Sequence, residues 1–475
     1  MKLDLEPELV WKHFDKLCHI PRCSKHEEQA ADYVAEVAKK LDLEVVRDEV
    51  GNVVVRKPAT DGAYRNAPMV TIQSHLDMVC EKNRDVEHDF STDPIDVYVD
   101  GDQVKARGTT LGADNGIGVA VALALMEAEG LEHGRLEFLF TVDEETGMTG
   151  AFGLKEGTVK GTLLINVDSE EYGSVYIGCA GGGNSTLHLP VSFEKAGHQG
   201  LEITIRGLKG GHSGTDIHEG RANSIRLMSR LLYNLDARLC SLEAGNKFNA
   251  IPRESVARVA AADPRQARKT AEEFQALFRD EYAETDGDVV VEVDDCQVDK
   301  MLSQDSHQRV VRLLMGLPHG VIAMDQQVKG LVETSTNLAT VRLGEELTVE
   351  MSTRSSIDSA LEGVMQRIRA IGELAGATIE EGGRYPGWKP DMGSGLLDVA
   401  KRAYRDIHGE DPEIKAIHAG LEPGVIGQVV DADMISIGPQ IEHPHSPDEV
   451  VYVSSVQKFW DYLLNILLMV AKQKE

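Results

Sequence analysis

Residues 136–150, LEFLFTVDEETGMTG, set an apolar strand directly before three consecutive carboxylates and a glycine-bearing turn. Asp143, Glu144 and Glu145 repel one another when ionised, so the run calls for a divalent cation or a bound proton. Taken alone, such a run reads more simply as a solvated acidic turn. The neighbouring strand ends change the balance. MVTIQSHLD (69–77) closes on His75 and Asp77, which one intervening residue puts on the same side of an extended chain, with Leu76 turned to the core. TLLINVDSEE (162–171) exits through Asp168. Between them, GTTLGADNGIG (108–118) feeds an apolar helix, VAVALALMEA, with Asp114 close to its N-terminus. An aspartate there also has a purely structural reading as a cap. Strands separated by helices or loops, each ending in imidazole or carboxylate, predict an open α/β sheet whose ligands sit beyond the carboxyl ends of its strands.

Two helices (6–18 and 27–41) and a hairpin-like pair, EVVRDEV and NVVVRK, precede this core. After GCAGGGNST (178–186) the texture changes. Strands such as GLEITIRG alternate with amphipathic helices in two rough halves, 187–286 and 287–386, a layout compatible with a duplicated unit though no sequence repeat is visible. EGGRYPGWKPDMGSG (381–395) closes that region. The expected organisation is therefore α/β: a discontinuous domain, 1–184 with 390–475, built on a central mostly parallel sheet, plus an inserted α+β lid domain, 185–389. The last segment carries HAGLEPG (418–424) and EHPHSP (442–447), where prolines restrict the backbone around His443 and His445.

The chain has 475 residues, enough for two or three domains, and is 42% hydrophobic and 27% charged. With 49 Lys+Arg against 78 Asp+Glu the net charge is -29, which argues against nucleic-acid and anionic-membrane partners. The opening residues lack a basic segment followed by an apolar run, and LLNILLMVA near the end falls short of the ~20 residues that span a bilayer. A cytoplasmic protein is expected. Six scattered cysteines without a CxxC pair read as thiols.

His75, Asp114, Glu145, Asp168 and His445 gather nitrogen and oxygen donors at the ends of core elements. Without cysteine, that set suits zinc, manganese or cobalt in a hydrolytic site. Five ligands suffice for two ions if one carboxylate bridges, and Asp114, on its glycine-rich turn, is the candidate bridge.

QSHLDMVCEKN, GTTLGADNGIG, TVDEETGMTGAFGL, INVDSEEYGSVYIGCAGG, KGGHSGTDIHEGRAN, FNAIP, HAGLEPG and EHPHSPDE, in this order, resemble the M20 metallopeptidases, in the branch of aminoacyl-histidine dipeptidases. The resemblance covers essentially the whole chain. It implies a metal-dependent dipeptidase with two divalent ions, zinc first and manganese or cobalt as alternatives. His75, Asp114 and Asp168 would hold one ion, and Asp114, Glu145 and His445 the other. Asp77 would orient His75, Glu144 would be the general base, and His212 would donate to the oxyanion. Asn249 and Arg354 match positions that bind the substrate's C-terminal carboxylate, although the flanks of Arg354 (MSTRSS) differ from the usual aspartate-containing form. His418 and Glu422 would line the pocket, Glu422 against the free α-amino group, with Pro423 where a cysteine is expected. The implied substrates are small unblocked peptides, Xaa-His dipeptides among them, a preference no residue here demonstrates. A homodimer through the lid is open, and with it whether His212 serves its own chain. The rivals are an N-acyl-amino-acid amidase with the same dinuclear site and a non-catalytic binding protein on this fold.

Overall fold

Near-continuous apolar runs make strands that are buried on both faces, and three of them supply the middle of the first sheet. In the computed structural model, which describes residues 3–473, the strands Leu136–Thr141, Val70–His75, Leu163–Asn166 and Asp433–Ser436 run parallel in that spatial order. Their register aligns His75 with Thr141, Gln73 with Asn166, and Asn166 with Ser436, so the carboxyl ends finish along one edge. The flanks are antiparallel. Glu44–Arg47 and Val53–Lys57 form the expected hairpin pair beside Leu136–Thr141, and Ser174–Cys179 pairs with Asp433–Ser436 on the other side, giving an eight-stranded mixed sheet. The helix Ala113–Glu127 is buried almost all round, as its uniformly apolar sequence requires.

The chain divides into two compact units: Met1–Gly178, Pro390–Ala416 and Leu421–Glu475 form the first, and Cys179–Lys389 with Ile417–Gly420 the second. Residues 417–420, which the sequence assigns with 390–475, thus belong to the second unit. A nine-stranded antiparallel sheet is the frame of that unit. The helices Ser224–Asn234, Pro264–Glu281, Gln304–Gly316 and Asp358–Ala375 contribute their apolar faces to its core. The two sequence halves are interleaved within this sheet. Gly181–Pro190, the first strand, pairs with Glu346–Ser355 and Thr378–Tyr385, while Val290–Cys296 pairs back onto Gln199–Arg206.

The cysteines correct one expectation. Cys23 and Cys80 form a disulfide, with Cα atoms 5.7 Å apart across 57 residues of chain. Cys23 lies beside Met78 in an isolated parallel bridge, so tertiary pairing that spacing does not reveal brings the two sulfurs together. Cys18, Cys179, Cys240 and Cys296 form no disulfide among the described residues.

Candidate metal centre

His75 stands at the end of its strand with Nδ1 3.2 Å from Asp77 Oδ1, while Nε2 lies 3.1 Å from Asp114 Oδ1 and 3.3 Å from Asp168 Oδ1. Asp77, fully buried, accepts hydrogen bonds from Ser24 Oγ and from the amides of Glu144 and Glu145. Burial would raise its pKa, but His75 and these donors outweigh it and push the carboxyl down to about 2. One carboxylate therefore fixes both the imidazole and the acidic turn.

That turn divides its charges. Asp143 and Met148 adopt left-handed backbone (φ 52° each) on either side of the single helical turn Glu144–Gly147. Asp143 is tied down locally, accepting from the hydroxyls of Thr146 and Thr149, and its amide donates to the buried Glu27 carboxylate at 3.0 Å. Glu145 Oε2 lies 3.0 Å from His445 Nε2, which is also 3.0 Å from Asp114 Oδ2. Burial raises the Glu144 pKa well above the usual carboxylate range, with Asp168, Glu422 and Glu145 adding to the effect and His75 opposing it.

Asp114 is no side-chain cap of its helix. Its backbone departs from helical geometry (ψ 113°), and its two oxygens face His75 and His445. The capping is done by Glu449, whose carboxylate accepts from the amides of Leu111, Gly112, Ala113 and Asp114.

Two donor sets result, His75/Asp114/Asp168 and Asp114/Glu145/His445, each with its ligand atoms within 4.8 Å of one another and with Asp114 in common. Glu144 forms a third such group with His75 and Glu145. The donors are all nitrogen or carboxylate oxygen, and Glu145 Oε1 is buried without a hydrogen-bond partner. Burial also holds Asp168 up at about 7. Such a concentration of buried carboxylates fits two divalent cations. A further acidic group, Glu27/Asp77/Asp143, has its oxygens committed to amides and hydroxyls.

Glu422 belongs to the first unit and keeps one carboxylate oxygen, Oε1, without a hydrogen-bond partner. It is 0% exposed, and Oε2 accepts from Gln73 Nε2 at 2.5 Å and Thr141 Oγ1 at 2.8 Å. Burial raises its pKa to about 7. It lies beneath the strand ends, which the motif HAGLEPG alone does not reveal.

The remaining residues gather in the second unit. Gly211–His212 pairs with Ala250–Ile251, and the amide of Ser213 donates to the Asn249 carbonyl, which places His212 and the exposed Asn249 on adjoining turns. The amides of Gly214 and Thr215 donate to His212 Nδ1, leaving the proton of a neutral ring on Nε2. Burial and the nearby Arg354 keep that ring neutral by lowering its pKa. Arg354 donates through Nη1 to Tyr385 Oη at 2.9 Å, while Nε is buried without a partner. His418 Nε2 is 2.7 Å from Ser335 Oγ, and burial, then Arg354, lowers its pKa to about 3. A Cβ added at Gly214 would come within 2.3 Å of the His418 carbonyl, 3.1 Å of His212 Cε1 and 3.3 Å of Arg354 Nε, so all three side chains or backbones converge there.

A hydrolytic dinuclear-type donor set on the strand ends of a mixed α/β sheet defines a class, and the chain belongs to it by sequence: it is a member of peptidase family M20/M25/M40, whose pattern matches residues 71–469. Among individual relatives, it is 44% identical over 474 residues to the cytosol non-specific dipeptidase of Escherichia coli (strain K12), covering 98% of each chain. The crystal structure of aminoacylhistidine dipeptidase from Vibrio alginolyticus superposes with a TM-score of 0.94 at 42% identity, over 100% of this chain and 99% of that one. Aminopeptidase PepT from Bacillus cereus shares the fold, with a TM-score of 0.59 at 17% identity over 98% of this chain and 100% of that one.

Proposed function

We propose that the chain is a metal-dependent dipeptidase that hydrolyses unblocked dipeptides, Xaa-His substrates among them. The observation that carries this reading is the sharing of Asp114 between two donor sets, with Glu144 in the same cluster. Similarity to two proteins named as dipeptidases, at 44% and 42% identity over nearly whole chains, supports the substrate class over a blocked-amide substrate.

In this reading His75, Asp114 and Asp168 hold one cation, Asp114, Glu145 and His445 the other, and zinc is the ion proposed, with manganese or cobalt accepted by the same donors. Bound there, the pair would supply Lewis acidity, polarising the scissile carbonyl and acidifying the attacking water. Glu144 takes the proton of that water as its oxygen bonds to the carbonyl carbon, then returns it to the amine nitrogen as the C–N bond breaks. Asp77 fixes the ring of His75. His212 donates from Nε2 to the developing oxyanion. Arg354, with Nε still unpaired, and Asn249 receive the C-terminal carboxylate, and His418 lines the pocket beside them. Glu422, whose Oε1 has no hydrogen-bond partner, is the proposed acceptor for the free α-amino group.

A cytoplasmic setting is part of the proposal, supported by the relative named as cytosolic. In a reducing compartment the Cys23–Cys80 bridge would then stand as two thiols.

The test is hydrolysis of free dipeptides, including Xaa-His members and β-alanyl-histidine, beside N-acylated and longer peptides, with each metal added and after chelation. Metal-dependent cleavage confined to free dipeptides is expected. Cleavage of the acylated substrates instead would move the protein to the amidases, and no cleavage under any metal would refute the enzyme reading.

A further inference from the structure

Four consecutive backbone amides converge on one buried carboxylate. Glu449 is 3% exposed; its Oε2 accepts from Leu111 N at 2.8 Å and Gly112 N at 2.9 Å, and its Oε1 from Ala113 N at 2.8 Å and Asp114 N at 3.1 Å. An ordinary cap serves amides at the start of a regular helix. Here the backbone is irregular, with Gly112 at φ 70° and both Asp114 and Asn115 outside helical geometry, so the helix's own ladder does not hold Asp114 in place.

The other side of the same turn is gripped by a buried base. Arg22, 2% exposed, donates through Nη2 to the Gly112 carbonyl and through Nη1 to the carbonyls of Leu76 and Asp77, at 3.2 and 2.9 Å. A Cβ at Gly112 would fall 2.4 Å from that guanidinium, so the turn leaves no slack. Glu449 also follows His445 by only four residues, and its amide donates to the Ser446 carbonyl at 3.1 Å. The Glu449 side chain thus holds the turn that bears Asp114, while its backbone amide closes the loop that bears His445, the two partners of a 3.0 Å pair.

We infer that Glu449 is a positioning residue for the metal centre: its carboxylate locks the Asp114 turn to the loop that presents His445, with Arg22 as the counter-grip from the strand end that bears His75. The inference rests on the two-cation reading above. Glutamine at this position keeps a single acceptor oxygen and turns an NH2 toward amide donors, so two of the four bonds become repulsive.

The experiment is equilibrium dialysis of chelated full-length protein against Zn2+ or Mn2+, for wild type, E449Q and E449D, with hydrogen exchange of amides 111–114 in the metal-free state. E137Q is the control, because Glu137 is an equally buried carboxylate in the same unit, bonded to Arg56, Thr71 and two amides away from the cluster. Cation affinity should fall about 10–100-fold in E449Q, the usual loss on removing a ligand's support, and amides 111–114 should exchange faster. E137Q should lose stability and keep its affinity. If E449Q does not fold, E449D, charged but too short to span the turn, is expected to show the same pair of changes. Wild-type affinity with wild-type exchange in the folded variant overturns the inference, as does an equal loss in E137Q. Wild type that takes up no ions refutes the two-cation reading, and exchange at 111–114 then still decides whether Glu449 locks the turn.

Discussion

The two units handle charge in opposite ways. In the first, Asp77, Asp114, Glu144, Glu145, Asp168 and Glu422 crowd the ends of parallel strands, with two imidazoles among them and the buried guanidinium of Arg22 behind the turn. In the second, the cluster around Gly214 holds Arg354 and two histidines kept neutral by burial and by that arginine. A site of buried carboxylates is suited to cations and to moving protons. A neutral donor ring beside a half-satisfied guanidinium is suited to recognising anionic oxygen. In the proposed reading, the contrast assigns the chemistry to the first group and recognition of the substrate to the second.

Substitutions should fall on one side of that contrast or the other. E144Q is expected to lower kcat by about a thousandfold, the range of a lost general base, while two ions stay bound; a stopped assay paired with metal analysis reads both. H212A should reduce kcat by about a hundredfold with metal affinity unchanged, since only an oxyanion donor is removed. R354A should act mainly on KM, lowering kcat/KM by about ten- to a hundredfold, as expected for a charge-assisted bond of roughly 1.5–3 kcal/mol. Equal loss of ions in H212A or R354A would erase the division between the units. The smallest change in activity is expected on reducing Cys23–Cys80. Opening a link across 57 residues should still lower stability by about 2–4 kcal/mol, read by urea unfolding with and without reductant.

The clustering in the first unit was legible in the sequence because its candidate donors obey local rules. His75, Glu145 and Asp168 follow apolar runs at strand ends, and Asp114 opens an apolar helix, so period and punctuation find them. Their supports obey no such rule. Glu449 meets Asp114 across 335 residues, Glu27 meets Asp143 across 116, and Gln73 meets Glu422 across 349. Only tertiary pairing creates those bonds. The second unit was harder to read. Its halves look sequential but share one sheet, and His418 joins it from a segment that lies far along the chain among first-unit residues. Family resemblance, rather than periodicity, drew attention to His212 and Arg354.

The most direct test is titration of the chelated protein with zinc or manganese while hydrolysis of a free dipeptide is followed. Turnover absent without metal and restored as two equivalents bind, with D114N taking up neither ion tightly, is the predicted result. Full turnover by rigorously metal-free protein would contradict the account.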